Sequence, residues 1–151
     1  MQNLNFKIYS FRLKNSENNT HIFDVIRKKF VVLQPEEWVR QHCIQFLINE
    51  KNFPVSLINV EKVVQINGLN KRYDIVVYNS DGSIYLIVEC KAPRVKISQS
   101  AFDQIARYNL ALKASCLMVT NGLNHYFCTM DHNLGIYNFF KELPSYVKKK
   151  I

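Results

Sequence analysis

The chain has no apolar run approaching the ~18 residues needed to cross a bilayer. Its opening, Met1-Gln2-Asn3-Leu4-Asn5, lacks both the charged start and the apolar stretch of a secretory signal. A cytoplasmic location is therefore expected, with no membrane partner. No Gly/Ser/Pro linker, internal repeat or low-complexity tract divides the sequence, so residues 1–151 are expected to form one domain around a single core. Cysteine is sparse. Cys43, Cys90, Cys116 and Cys128 stand far apart in apolar stretches, which suits buried thiols in a reducing compartment and not a disulfide framework. There is no Gly-x-Ser-x-Gly nucleophile turn and no glycine-rich phosphate loop ending in Lys-Ser/Thr, which removes serine hydrolases and NTPases. Acid is also short: 12 Asp and Glu against 20 Lys and Arg leave a net charge of +8. Such a field concentrates polyanions, and nucleic acid is the natural partner class.

What is present is enough to fold. A hydrophobic content of 48% builds a packed core and is too high for a disordered tail. Phe6 to Leu33 mixes alternating apolar residues with a polar patch at Asn15 to Thr20 and reads as a hairpin or loop-rich lead-in. At Gln34-Pro35-Glu36-Glu37 a proline stands where a first helical turn tolerates it, two acids stand where the helix dipole favours them, and Val39, Cys43, Phe46 and Leu47 follow at helical spacing. This predicts a helix from Pro35 to Glu50. Val60 to Ile66, Arg72 to Tyr78 and Ile84 to Lys91 are rich in Val, Ile and Tyr and read as strands. A second helix is expected from near Ser98, with Ser98 or Ser100 as cap, to about Lys113. Cys116 to Thr120 and His125 to Met130 then form strands around Asn121-Gly122. The order helix, three strands, helix, two strands predicts an α/β fold with a mixed central sheet flanked by helices.

The register of the first hairpin decides what chemistry is available. A two-residue turn at Asp81-Gly82 places Asp74 opposite Glu89, with Cβ atoms roughly 4.5–5.5 Å apart and like charges opposing each other. Something positive should sit between them. A five-residue loop centred on Asp81 instead shifts the register by one and puts the acids on opposite faces, unless a bulge restores them. In the strand from Ile84, alternation points Tyr85, Ile87, Glu89 and Lys91 one way and Ile84, Leu86, Val88 and Cys90 the other, so the strand looks central and covered. An ordinary ion pair between Glu89 and Lys91 at a strand end is the bland alternative. The acid-x-Lys pattern arises about once by chance at this composition, so the constellation carries the weight and not the tripeptide.

Three stretches carry a resemblance: Tyr73-Asp74-Ile75-Val76-Val77, Val88-Glu89-Cys90-Lys91-Ala92-Pro93 and Gln104-Ile105-Ala106-Arg107-Tyr108. Together they resemble the PD-(D/E)XK nuclease superfamily, and most closely the N-terminal nuclease domain of type I restriction enzyme R subunits. The last stretch is similar to the Q-x-x-x-Y motif shared with RecB-type nucleases. Pro35-Glu36-Glu37-Trp38-Val39-Arg40-Gln41 resembles the leading helix of the same group. The likeness runs from about Phe23 to Asn138. It departs in one place, since the proline that names the superfamily is Tyr73 here.

The resemblance implies a restriction-endonuclease-like core and a Mg²⁺- or Mn²⁺-dependent DNA endonuclease. Asp74 and Glu89 would be the metal carboxylates and the Cys90 carbonyl a third contact. Mg²⁺ prefers oxygen ligands at about 2.0–2.1 Å, commonly one or two carboxylates with waters and phosphate oxygens. Lys91 would orient or deprotonate the attacking water and offset charge in the transition state. Gln104 would order the Lys91 region or a water, and Tyr108 would touch the substrate backbone. The alternative for these two is that they merely flank a core stripe of Phe102, Ile105, Ala106 and Leu112. Glu36 is taken for the extra acid that related nucleases place by the metal, with Glu37 as the alternative and a plain first-turn acid as the bland one. Lys71, Arg72, Arg94, Lys96, Arg107 and Lys113 surround the motifs where phosphate contacts would lie, while Lys148-Lys149-Lys150 reads as a solvated end. DNA is the implied partner, with restriction-system motor or specificity subunits as further ones. Because nothing in the chain could be a motor, a fragment, a stand-alone relative and a domain acting only beside partners all stay open. So does an inactive nucleic-acid-binding module of the same fold. A zinc site on His125, Cys128, His132 and Cys116 is disfavoured, since His125 and Cys128 face opposite sides of a strand.

Overall fold

The structure is a computed structural model that describes residues 1–148; Lys149 and Lys150 of the basic run lie outside the described residues. Residues 1–12 carry no helix or strand, and a three-stranded antiparallel meander follows: β1 (Leu13–Ser16), β2 (Asn19–Asp24) and β3 (Lys29–Val32). Helix α1 (Pro35–Asn49) leads through a short 3-10 turn at Val55–Leu57 into β4 (Ile58–Ile66), β5 (Leu69–Tyr78) and β6 (Ile84–Cys90). Helix α2 (Gln99–Leu110) crosses over to β7 (Cys116–Thr120), and β8 (His125–Asp131) and β9 (Ile136–Phe140) complete a six-stranded sheet in sequential order. The neighbours are antiparallel except β6 and β7, which are parallel, as a helical crossover requires. The expected helices and five strands are all present. The lead-in is a three-stranded sheet where a hairpin or loop was expected, and β9 adds a sixth strand to the main sheet.

Each helix covers one face. Val39, Cys43, Ile44 and Leu47 of α1 pack on Ile58, Ile75, Val77, Leu86, Val88, Cys90 and Met118. Phe102 and Ala106 of α2 pack on Tyr73, Val76, Ile87, Leu117 and Val119. Ser98 caps α2 by accepting from the Ala101 N–H at 3.2 Å. With β6 between β5 and β7, Leu86, Ile87 and Val88 are fully buried and the strand is covered on both faces.

Two irregularities in the hairpin stack set the site. The β5–β6 loop is the five-residue version, with Tyr78 opposite Ile84, but the register shifts at Val77 so that Val77 pairs with Leu86 and Ile75 with Val88. Tyr85 is the extra residue, and this bulge restores Asp74 and Glu89 to facing positions. It also exchanges the faces of Ile84 and Tyr85, which pack in the α2 and α1 layers respectively, opposite to simple alternation. The second irregularity lies between β4 and β5, where Glu61 adopts φ 55° and the Glu61–Asp74 position interrupts the ladder. Ile75 and Val60 face the α1 layer, yet Tyr73 and Val64 face the α2 layer together with Val76. The strand faces therefore slip by one residue at Asp74.

The N-terminal strap is fixed against the β7–β8 turn. The Asn5 N–H donates to Gly122 O at 2.7 Å, and a ring nitrogen of His125 bonds Asn5 O at 2.7 Å. Gly122 has φ 86°, and a Cβ there would lie 2.8 Å from Leu4 Cδ2 and 3.1 Å from Val39 Cγ2. Gly122→Ala is expected to lower stability by about 1–2 kcal/mol from the left-handed backbone alone, read as a drop in the urea midpoint.

Candidate functional site

Asp74, Glu89 and Lys91 come together where β5 and β6 leave the covered part of the sheet. Asp74 Oδ2 accepts the Cys90 N–H at 2.8 Å, which locks the carboxylate across to β6 in place of a regular ladder bond. The Lys91 N–H donates to Thr120 O at 2.8 Å, so the extended chain continues one step past β6 and keeps Lys91 in phase with Glu89. Cys90 points the other way: its thiol is buried against Cys43, 3.9 Å between sulfurs, and that contact with burial raises its pKa well above the ordinary thiol value. A nucleophilic role for it is physically disfavoured.

Glu89 is the electrostatically stressed member. Burial, followed by the Asp74 charge, pushes its pKa up to about 7 against the opposing pull of Lys71 and Lys91. Its Oε1 is buried with no hydrogen-bond partner, and the Lys71 ammonium at 3.6 Å is too distant to be one. Because this carboxyl binds protons more readily in the folded chain than in the unfolded one, it works against folding as pH rises from about 4.5 towards 7. Metal-free protein is thus expected to lose about 2–3 kcal/mol of stability from this group between pH 5 and pH 8. Glu89→Gln should abolish that decline, measured as urea midpoints at the two pH values. Asp24 works in the opposite sense at lower pH: burial alone would raise it, but hydrogen bonds from Arg27 and Gln41 outweigh this and hold it below the usual range.

The first helix brings an arginine to the site that motif spacing did not single out. The Arg40 guanidinium donates from Nη2 to Asp74 Oδ1 at 2.8 Å, reaches Glu61 Oε1 at 2.9 Å and Glu36 Oε1 at 3.3 Å, and donates from Nη1 to Glu37 Oε1 at 2.8 Å. Four carboxylates thus share one nearly buried cation. Glu37 belongs to the scaffold side: it also accepts from Arg27 at 2.7 Å and Gln41 at 3.2 Å, and both of those donate to the fully buried Asp24 at the end of β2. Glu36 lies on the site side, where burial and then the Asp74 charge raise its pKa while Arg40 and Lys91 oppose them. Of the two acids weighed from sequence, Glu36 faces the metal candidates and Glu37 faces away. The signal for Arg40 was available, since an arginine on the helix row that carries Cys43 and Leu47 must find buried acids. Glu61 carried no comparable signal.

Gln104 and Tyr108 share the exposed face of α2, but they do different things. Gln104 makes no side-chain hydrogen bond among the described residues and borders a shallow hollow with Ser100, Arg107 and Tyr108. It is exposed, and no hydrogen bond joins it to Lys91 among the described residues. Tyr108 places its ring 3.8 Å from Lys71 Nζ, and so joins the site through that lysine. The residues of the zinc alternative are engaged elsewhere: His125 with Thr120 and Asn5, His132 with Ala114 O, and Cys128 beside Met130.

Among the described residues no three His, Cys, Asp or Glu side chains converge with the geometry of an all-side-chain metal cage. The donor set nevertheless suits a hard divalent ion held in part by waters and substrate. Two carboxylates face one another, and one buried carboxylate oxygen, Glu89 Oε1, lacks a donor.

No curated protein sequence matches. The chain is similar in fold to a fragment described as an HsdR subunit of a type I restriction enzyme from Vibrio vulnificus, with a TM-score of 0.51 and 20% identity. The match covers 75% of this chain and 24% of that one, so this chain corresponds to about a quarter of the solved one. The family model for the type I restriction enzyme R protein N terminus matches residues 35–144, from the first turn of α1 to just past β9. On that match, the chain belongs to the family of type I restriction enzyme R protein N-terminal domains.

Proposed function

We propose that the chain is a metal-dependent DNA endonuclease domain of the restriction type, hydrolysing phosphodiester bonds with Mg²⁺ or Mn²⁺ held by Asp74, Glu89 and the Cys90 carbonyl. The observation that carries this reading is the facing pair Asp74 and Glu89, brought into register by the Tyr85 bulge, with an unpartnered buried oxygen on Glu89 and Lys91 two residues on. A bound ion would polarise the phosphate and lower the pKa of a coordinated water. The protein groups supply the rest. Cys90 N–H and Arg40 fix the orientation of Asp74. Lys91 makes no ion pair within 4 Å among the described residues, which leaves its ammonium available to orient the attacking water and balance charge on the phosphoryl oxygens. Glu36, beside Arg40 and Asp74, would accept from a water held near the pair. Gln104 and Tyr108 belong to the substrate-facing side of α2 in this reading.

The competing reading, an inactive nucleic-acid-binding module of the same fold, draws on the engagement of both carboxylates by organic cations, Arg40 on Asp74 and Lys71 near Glu89. A cleavage assay separates the two. Purified protein with Mg²⁺ or Mn²⁺ is expected to cut linear, supercoiled or single-stranded DNA in a manner abolished by EDTA. DNA binding without metal-dependent cutting on any of the three selects the binding module.

A further inference from the structure

Lys71 is not part of any motif, yet it is the most constrained cation on the open side of the site. Its Nζ lies 3.8 Å from the Tyr108 ring centroid, 4.8 Å from that of Tyr73 and 3.6 Å from Glu89 Oε1. Two aromatic faces thus confine an ammonium that donates no hydrogen bond to Glu89, since that 3.6 Å contact exceeds hydrogen-bond length. A lysine with such rigid neighbours loses much of its conformational freedom before any ligand arrives. It also stands at the root of a two-stranded arm. The β5–β6 ladder ends at Ile75 with Val88, whereas β4 and β5 remain paired out to Ile66 and Leu69. The arm from Lys62 to Arg72 carries three cations and no acid. Between the arm and α2 lies a cleft of about 300 Å³ lined by Asn67, Leu69, Lys71, Arg107, Tyr108 and Ala111. A basic, partly apolar cleft opening beside the carboxylate pair fits a phosphodiester backbone.

We propose that Lys71 is a substrate-contacting cation of this site, binding a backbone phosphate of the nucleic acid beside the Asp74–Glu89 pair, and that Tyr108 is a positioning residue which acts through Lys71 by its ring face and not through its hydroxyl. The inference rests on the nuclease reading for the identity of the substrate. Charge balance supports it: two carboxylates and a divalent ion sum to zero, so an incoming phosphate needs further positive charge, and Lys71 with Lys91 supplies it from two strands. The ring of Tyr108 needs no hydroxyl for this purpose, since cation–π attraction comes from the π face.

The test is binding of a short fluorescein-labelled DNA duplex in EDTA across a salt series, so that cleavage plays no part. Lys71→Met is expected to weaken binding on the order of three- to tenfold and to reduce the slope of log affinity against log salt by about one phosphate contact, with Lys71→Arg restoring both. Tyr108→Ala should reproduce the Lys71→Met loss, Tyr108→Phe should restore it, and the double variant Lys71→Met/Tyr108→Ala should be no weaker than Lys71→Met alone. An unchanged salt slope in Lys71→Met overturns the phosphate contact. A Tyr108→Phe variant as weak as Tyr108→Ala, or additive losses in the double variant, overturns the positioning role. Failure of the nuclease reading is seen separately, as duplex binding with these dependences but no cutting when Mg²⁺ or Mn²⁺ is supplied.

Discussion

Lys91→Ala is expected to lower the single-turnover rate of metal-dependent DNA cleavage by about 10²–10⁴-fold, with little change in stability or in metal binding. The side chain makes no ion pair within 4 Å among the described residues, so its removal breaks no salt link, and the main-chain bond from Lys91 to Thr120 is unaffected by truncation. What is lost is a positive charge felt by both Glu36 and Glu89. That charge matters most when negative charge builds on the phosphate, which is why the loss should appear in the rate and not in DNA affinity alone. A variant that cuts within a factor of a few of the parent would remove Lys91 from the chemistry.

The largest expected effect on stability lies one layer below. Arg40→Met should cost about 3–5 kcal/mol at neutral pH, because it takes the shared counter-charge from four carboxylates, of which Glu37 and Asp74 are nearly buried and Glu36 and Glu61 partly solvated. The loss should shrink at pH 4, where Glu36, whose pKa burial and the Asp74 charge already raise, gains its proton more readily. Urea denaturation at the two pH values reads both parts. A loss under about 1 kcal/mol at neutral pH would mean that the carboxylates are hydrated well enough not to need the guanidinium. The same variant frees Asp74 Oδ1, so stability and metal affinity should move in opposite directions.

Much of this arrangement was legible because it is local. Pro35, Glu36 and Glu37 announce the start of α1, and the Val/Ile runs announce β4 to β6. Facing of Asp74 and Glu89 depended on one residue of register. The loop turned out to have five residues, from Asn79 to Ser83, and only the bulge at Tyr85 recovers the pairing that a two-residue turn would have given directly. Alternation could pose that choice but not resolve it, since Ile84 and Tyr85 are apolar enough to sit in either layer. The three strands before α1 were missed because Leu13–Ser16 and Asn19–Asp24 are dominated by polar residues of poor strand propensity. Their turn at Glu17-Asn18, with φ of 52° and 67°, lacks the glycine that usually marks such a hairpin. The strand β9 had a visible signal in Ile136-Tyr137-Asn138-Phe139-Phe140 after Gly135, but its two-sided exposure blurs any alternation.

The remaining site residues are long-range and therefore silent in a linear reading. Arg40 meets Asp74 from 34 positions away, and Lys71 meets Tyr108 across the gap between the arm and α2. Glu61 reaches the cluster only because its backbone adopts φ 55° at the point where the faces of β4 and β5 exchange. A non-glycine residue held there is a recurrent mark of a functional constraint. Its partnership with Arg40 and, at 3.5 Å, with Arg72 is consistent with that. Gln104 is the residue whose family role the geometry supports least, since it faces solvent and not Lys91.

Location of Mn²⁺ by anomalous scattering from soaked crystals tests the central claim most directly. A single strong peak between Asp74 and Glu89, within coordination distance of both and of the Cys90 carbonyl, with Arg40 withdrawn from Asp74 Oδ1, is the predicted result. No peak at saturating Mn²⁺, with Arg40 still seated on Asp74 and Lys71 against Glu89, would contradict it.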